Sequence, residues 1–95
     1  MTDLAILQKR YDDLASELAS VTDSAKRIVL QKELARLLRI IDAHKDLKRC
    51  DDLIADAKNQ LKSSQDPEMS ELFKLELHDL ELKSNFWRNR MLKYL

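Results

Sequence analysis

The sequence predicts an all-α protein, and two observations carry that prediction. The 95 residues contain no glycine and one proline, Pro67. Because glycine supplies the left-handed backbone of tight hairpins and phosphate-binding loops, both features are improbable. Apolar residues recur at alternating spacings of three and four, as in helices that pack through one face. We therefore expect an antiparallel helical hairpin of two long helices plus a shorter N-terminal helix, as a three-helix bundle or a coiled-coil-like arrangement.

Composition limits the protein class. A chain of this length forms one domain, 1–95, with a modest core. Its 17 basic and 17 acidic residues balance, which argues against whole-molecule attraction to DNA or to an anionic membrane. One cysteine excludes an internal disulfide, and no apolar run reaches the ~18 to 20 residues of a membrane span. We expect a soluble, cytoplasmic protein without membrane or DNA partners.

The first helix is predicted over 3–21. Thr2 or Asp3 can cap its start, and the triplet 22–24 both ends it and starts the next helix, because its side chains favour caps over helix interiors. The apolar stripe of this helix consists of Leu4, Leu7, Tyr11, Leu14, Leu18 and Val21.

The second helix is predicted over 24–62, and its stripe changes phase at His44. There the spacing becomes three and three, which indicates a local slip of the stripe around the helix. The stripe before the slip consists of Leu30, Leu34, Leu37 and Ile41, and the stripe after it of Leu47, Cys50, Ile54, Ala57 and Leu61. Four further apolar residues widen the stripe and favour packing between two neighbouring helices. They are Ile28, Leu38, Ile40 and Leu53.

The third helix is predicted over 67–94. Asp66 can cap it, and Pro67 suits the first helical position, whose N–H needs no partner. Its main stripe consists of Phe73, Leu77, Leu80, Ser84, Trp87, Met91 and Tyr94. A second apolar face consists of Leu72, Leu75, Leu82 and Phe86. That face either packs on the first helix or is left for a partner or for further polypeptide, since the chain looks like a fragment of a longer protein.

Candidate catalytic and metal-binding residues do not converge. His44, His78 and Cys50 have no metal-ligand spacing. The simplest expectations are a buried or half-exposed His44, a buried Cys50 and an exposed His78. The neighbouring acids Asp51, Asp52 and Asp56 are typical of a solvated helix face. We therefore predict no cofactor, no metal site and no enzymatic activity.

Basic residues are clustered despite the zero net charge. One cluster lies on one face of the second helix, and the other follows an acidic stretch at 66–81. Complementarity with the helix dipole explains the charges of the third helix, whereas contact with RNA phosphates or an acidic protein surface is the functional alternative. The candidate contact residues are Lys32, Arg36, Arg39, Arg88, Arg90 and Lys93.

The order of these helices and the stretch SQDPEMSEL at 64–72 resemble the N-terminal helical domain of bacterial class I peptide chain release factors. The stretch KRYDDL at 9–14 also fits the first helix of that family. The chain resembles most the branch that reads the stop codons UAA and UAG, although its first interhelical loop is shorter than is usual in the family.

The resemblance implies a non-catalytic part of a translation termination factor. In that family the Gly-Gly-Gln tripeptide that directs peptidyl-tRNA hydrolysis lies elsewhere, and a chain without glycine cannot contain it. The implied partners are the ribosome, at the stalk base of the large subunit with protein L11 and its rRNA, and a partner GTPase release factor.

Two other classes stay open from the residues alone. One is a stand-alone helical coiled-coil adaptor or self-associating module, in which a symmetric dimer buries Leu75, Leu82 and Phe86. The other is a small helical RNA-binding factor, which predicts RNA binding with a steep salt dependence.

Overall fold

The computed structural model describes residues 4–94, and over that range the protein consists of three helices without any strand. These are α1 (Leu4–Ser20), α2 (Ser24–Ser63) and α3 (Pro67–Tyr94). The predicted all-α fold, with two long helices and a shorter N-terminal one, is confirmed. None of the three helices is long and apolar enough, within the described range, to cross a membrane.

Aspartates start both long helices. Asp23 Oδ1 accepts a hydrogen bond from the N–H of Ala25 at 3.2 Å, and Asp66 Oδ1 accepts one from the N–H of Glu68 at 3.0 Å. Each bond satisfies an N–H that has no partner inside the helix. The predicted cap of α3 by Asp66 is confirmed, and so is the prediction that the 22–24 triplet starts α2. The predicted caps of α1, Thr2 and Asp3, lie outside the described residues.

Serines complete the ends of the first two helices. Ser20 Oγ donates to the carbonyl of Glu17 at 3.0 Å, and Ser63 Oγ contacts the carbonyls of Asn59 and Gln60 at 3.2 Å. No residue in the described range has a positive φ, so both turns form without the left-handed conformation that glycine favours. The absence of glycine is therefore compatible with both connections.

The chain forms two compact units. The first unit contains the described residues up to Asp42 together with Tyr94, and the second contains Ala43–Lys93. In the first unit, α1 packs on the N-terminal part of α2, and no member of the predicted α1 stripe is exposed among the described residues. The buried apolar residues of this unit are Leu7, Leu37, Ile40 and Ile41.

The second unit is an antiparallel hairpin made by the C-terminal part of α2 and by α3. Asp51 lies before the connecting turn and bonds to Ser84 after it, as antiparallel helices require. Most of its buried residues belong to the predicted stripes of the two helices. The buried residues of this unit are Ala43, Leu47, Cys50, Ala57, Leu80, Ser84 and Met91.

The predicted phase slip of α2 coincides with the boundary between the units. Ile40, Ile41 and Ala43 are all buried, although residues so close in sequence cannot share one narrow stripe of a helix. The boundary falls between Asp42 and Ala43, next to His44. The buried stripe of α2 therefore belongs to one unit before this point and to the other after it.

The prediction that four extra residues widen the α2 stripe is wrong for three of them. Ile40 is buried, but Ile28, Leu38 and Leu53 are about half exposed. The physical reason is that within each unit one other helix of substantial length covers α2. A single neighbour covers one stripe and leaves the flanking positions in solvent.

Candidate functional site

The first basic cluster lies in the first unit, on the N-terminal part of α2. Lys32, Arg36 and Arg39 are all exposed, and spacings of four and three place them on one helix face. The structure therefore brings these three predicted contact residues together. Their surroundings differ, however, because one of the three takes part in a network of charged groups.

Arg36 is held by an acid of its own helix. Its Nε and Nη2 donate to Glu33 Oε2 and Oε1 at 3.1 and 2.9 Å, a two-bond arrangement that fixes the guanidinium plane. Its Nη1 donates to the carbonyl of Tyr94 at 3.2 Å. Arg10 of α1 lies 3.8 Å from the same Glu33 carboxylate. Glu33 thus pairs with Arg36 on its own helix and links α2 to α1 through Arg10.

This network changes the protonation of both partners. The hydrogen bond from Arg36 is the main reason that the pKa of Glu33 is lowered. Burial opposes this shift, and the charges of Arg36 and then Arg10 lower the pKa further. The same bond raises the pKa of Arg36. Both groups are therefore held in their charged forms at neutral pH.

Lys32 and Arg39 remain available to other molecules. Neither side chain makes an ion pair or a hydrogen bond with any of residues 4–94. Lys32 also borders a shallow groove between α1 and α2, whose apolar floor consists of Leu14, Val29 and Leu30. Together these residues form an exposed, basic and partly apolar surface on the first unit.

The second basic cluster lies on the last turns of α3. Arg88 is half-buried, with Nη1 3.3 Å from Asn85 Oδ1 and Nη2 3.9 Å from Asp51 Oδ2. The Arg90 guanidinium lies 5.4 Å from the centre of the Phe86 ring, within the range of a cation–π contact. Lys93 is exposed. All three residues lie near the end of α3, but Arg88 is oriented by its contacts with Asn85 and Asp51.

Three residues that the sequence did not single out make structural contacts in the first unit. Glu33 and Arg10 form the network just described, and Arg27 caps the end of α1. Arg27 Nη1 donates to the carbonyls of Leu18 and Val21 at 3.2 and 3.0 Å. The only sequence signal for Glu33 was its i, i+3 spacing to Arg36, since contacts between helices leave no local pattern.

The second unit contains a polar contact inside its packed interface. Ser84 is buried, and its Oγ donates to Asp51 Oδ1 at 2.9 Å. The position of Ser84 in the apolar stripe of α3 is the sequence feature that points to this contact, because a buried hydroxyl requires a hydrogen-bond partner. Asp51, Asp52 and Asp56 are exposed, as expected of a solvated face.

The titratable residues considered as catalytic candidates do not form a site. Cys50 is buried and His78 exposed, which confirms both predictions. His44 is half-buried, and its Nδ1 has no hydrogen-bond partner in the described part of the chain. Residues 4–94 contain no group of three or more His, Cys, Asp or Glu side chains that could hold a metal ion.

Comparison with known proteins identifies similar sequences. Residues 7–95 match the family model described as the PCRF domain. Over 81 residues the chain is 38% identical to peptide chain release factor 1 of Mesoplasma florum, an alignment that covers 82% of this chain and 22% of that protein. The chain therefore spans about a fifth of the length of that relative. No solved structure matches it.

Proposed function

Because this chain belongs to the PCRF domain family of peptide chain release factors, we propose that it is part of a factor that reads the stop codons UAA and UAG and directs peptidyl-tRNA hydrolysis on the ribosome. The match over residues 7–95 is the observation that carries this proposal. The resemblance to the N-terminal domain of release factor 1, predicted from the 64–72 stretch, is confirmed by the same match and by the 38% identity. The chain is a domain of a translation termination factor.

The proposed role of this domain is contact rather than catalysis. The sequence contains no glycine, so the Gly-Gly-Gln tripeptide expected of the family must lie in further polypeptide. The supporting observation is the size of the relative, since the aligned region covers 22% of it. Codon reading and hydrolysis are therefore assigned to the remainder of a longer protein.

A direct check of this assignment is the open reading frame after Leu95. We expect it to continue and to encode a Gly-Gly-Gln tripeptide. A stop codon directly after Leu95, or a continuation without that tripeptide, would contradict the assignment.

For the contact itself, the surface around Lys32 and Arg39 is the best-supported candidate. Both side chains are exposed and have no partner among residues 4–94, so they can neutralise RNA phosphates without breaking contacts within the protein. Arg88, Arg90 and Lys93 form the second candidate surface. By family resemblance, the proposed targets are the stalk base of the large ribosomal subunit, with protein L11 and its rRNA, and the partner GTPase. The proposed location is the cytoplasm.

Ribosome binding by the 95-residue protein tests this surface. The double variant Lys32→Glu/Arg39→Glu is preferable to a change of Arg36, which would also break the bonds to Glu33. We expect weaker co-sedimentation with ribosomes and a shallower dependence of affinity on salt, because two phosphate contacts are lost.

The matched control is Lys48→Glu/Lys58→Glu, which produces the same change in net charge at two exposed lysines of the second unit. An equal loss of binding in the control would indicate a general charge effect. Unchanged affinity and salt dependence in the Lys32/Arg39 variant would exclude this surface, and the corresponding reversal at Arg90 and Lys93 then tests the second one.

A further inference from the structure

An open groove runs along one side of the helix pair of the first unit. Its middle is the shallow groove whose floor consists of Leu14, Val29 and Leu30. An adjoining depression along α1 shares Arg10 and Leu14 with this middle part, and another near the α1–α2 turn shares Val29 and Leu30 with it. The three parts form one α1–α2 groove beside residues 6–17 of α1, about 16 Å or about three helical turns long.

The α1–α2 groove leaves apolar side chains of both helices in solvent. Ile6 on the α1 edge retains 63% of its accessible surface, and Val29 on the α2 edge retains 66%. Leu14 and Leu30 lie between these edges and are half-buried. The described part of the first unit contains α1, the start of α2 and Tyr94, so no third helix of this unit covers the groove. A concave apolar surface of this kind is typical of a site that binds another protein segment.

The two edges of the groove differ in charge. Lys26, Lys32 and Arg36 line it on the α2 side, and the one described acid on that side, Glu33, is bonded to Arg36. Lys26 and Lys32 make no ion pair or side-chain hydrogen bond within residues 4–94. The α1 side is balanced, with two bases and two acids, Lys9, Arg10, Asp13 and Glu17. The excess of positive charge therefore lies along α2, where it attracts an acidic partner.

The composition of the groove favours a protein partner over a nucleic acid. None of the described residues that line it is aromatic, whereas proteins that bind single-stranded nucleic acids commonly stack the bases on aromatic rings. Phosphates can approach the lysines, but they leave Ile6 and Val29 in water. A helix with apolar residues on one face and acids beside them satisfies both the floor and the α2 edge, because it buries the apolar groups and neutralises the bases.

We propose that the α1–α2 groove binds an amphipathic helix of a partner protein, which carries apolar residues toward the floor and acidic residues along the side next to α2. This inference rests on the proposed role of the chain as a contact domain of a termination factor, and it specifies the chemistry of one protein partner. Apolar residues three and four positions apart on the partner pack between Ile6 and Val29. Its acids lie next to Lys26 and Lys32, and a segment of about 12 residues spans the groove.

A synthetic peptide of about 18 residues tests the inference, because it spans the groove with about one helical turn to spare at each end. Leucines at steps of three and four form one face of the peptide, and glutamates and alanines fill the other positions. A second peptide has the same composition in an order that distributes the leucines around the helix. Amide NMR spectra of the 95-residue protein follow both titrations. We expect saturable binding of the first peptide only, with the largest shifts at Leu14, Val29 and Leu30.

Shortening the exposed apolar residues should weaken this binding. Ile6→Ala/Val29→Ala should raise the Kd of the first peptide by about tenfold or more, because less apolar surface leaves water on binding. Its helicity by circular dichroism should stay unchanged, since both side chains are exposed in the free protein. The matched control, Leu53→Ala/Leu82→Ala, shortens two exposed apolar residues of the second unit and should leave the Kd unchanged.

A charge reversal tests the α2 edge. Lys26→Glu/Lys32→Glu should weaken binding of the glutamate peptide, and added salt should reduce the difference from wild type. A peptide with lysines in place of the glutamates should bind this variant more tightly than it binds wild type. A variant that binds both peptides as wild type does would overturn the assignment of the acids to this edge.

Three other results would overturn the proposal. The first is equal binding of the two glutamate peptides, which indicates a general charge attraction. The second is an unchanged Kd in the Ile6→Ala/Val29→Ala variant, or shifts that are largest in the second unit. The third is binding of a single-stranded RNA oligonucleotide that depends on Ile6 and Val29 while the first peptide does not bind, since the groove would then be a nucleic-acid site.

Failure of this inference is distinguishable from failure of the proposed function. The reading frame after Leu95 tests the proposed function without involving the groove. A frame that encodes Gly-Gly-Gln, together with a peptide that does not bind, contradicts the groove assignment alone. A frame without the tripeptide contradicts the proposed function, while peptide binding that depends on Ile6 and Val29 still supports the groove as a helix-binding site.

Discussion

The two units are stabilised by different kinds of side chains. In the first unit the buried part of α2 consists of large aliphatic residues, among them Leu37, Ile40 and Ile41. In the second unit the buried part of the same helix consists largely of small residues, namely Ala43, Cys50 and Ala57 beside Leu47. Small residues allow two helices to approach closely, whereas large ones fill a wider space. The units should therefore respond to opposite changes in side-chain volume.

Polar contacts also differ between the units. The first unit places its charged network at the surface, where Glu33 bonds to Arg36 and lies near Arg10. The second unit places the Ser84 hydroxyl inside the interface, bonded to Asp51. A surface ion pair is worth little because water competes with it, while a buried hydroxyl without its partner carries a desolvation cost. We therefore expect polar contacts to contribute more to the folding stability of the second unit than to that of the first.

The largest expected effect is the loss of volume in the first unit. Leu37→Ala should lower the free energy of unfolding by about 2 to 5 kcal/mol, because it leaves a cavity in a closely packed core. Leu38→Ala is the matched control, since Leu38 is 44% exposed whereas Leu37 is 1% exposed. Urea unfolding of both variants measures the difference. Equal losses would contradict the burial of Leu37.

Replacing a small buried side chain by a larger one should lower stability most in the second unit. Ala57→Leu should cost about 1 to 3 kcal/mol, because the buried alanine position lacks space for the larger side chain. Ala55 lies on the exposed side of the same helix, so Ala55→Leu should change stability by less than about 0.5 kcal/mol. Thermal unfolding compares the two variants. If both are tolerated equally, close helix contact does not explain the small residues.

A smaller effect is expected from the polar contact of the second unit. Ser84→Ala should cost about 1 kcal/mol, because Asp51 loses a hydrogen bond but is exposed enough to regain water. In an Asp51→Ala background the same substitution should cost less, since the bond is already absent. Denaturant unfolding of the four proteins gives the coupling energy. A coupling of zero would show that the bond does not stabilise the hairpin.

The smallest effect concerns Glu33 and depends on pH. Glu33→Gln should lower stability at neutral pH by less than about 1 kcal/mol. Because the folded-state pKa of Glu33 lies below its ordinary value of 4.5, its contribution is present above that value and is lost as the pH falls through the folded-state pKa. The difference in Tm between wild type and variant should therefore shrink below pH 4.5.

The matched control for this titration is Glu71→Gln, in which the replaced carboxylate pairs with Lys74 on its own helix. It lacks the link between helices that Glu33 provides, so its effect on Tm should be smaller at neutral pH. A Glu33→Gln difference that stays constant down to acid pH would contradict the assignment to this carboxylate.

Local features of the fold were predictable from the sequence. Asp66 starts α3 by accepting a bond from the N–H of Glu68, two positions away, and Pro67 suits the first helical position because it needs no N–H partner. Both effects depend only on neighbouring residues. The main α3 stripe was predictable for a similar reason, since a helix repeats every 3.6 residues whatever surrounds it. The phase change near His44 was visible as a change of spacing, although only the structure shows that it separates two units.

Contacts between distant residues were not predictable. The sequence did not distinguish between the six basic contact candidates, yet Arg36 bonds to the distant Tyr94 carbonyl and Arg88 lies near Asp51. Lys32 and Arg39 have no such contacts within the described range. This distinction depends on distances between helices, for which the spacing of charges along one helix contains no information.

The sequence by itself therefore determined the number of helices, where α3 starts and which residues of each helix form an apolar stripe. These properties follow from the absence of glycine, from capping residues and from helical periodicity, all of which act over a few residues. The tertiary structure decided that one stripe of α3 is buried and that the stripe of Leu72, Leu75, Leu82 and Phe86 is not. Periodicity gives a helix its apolar faces, but only the number and position of neighbouring helices determine which of them are covered.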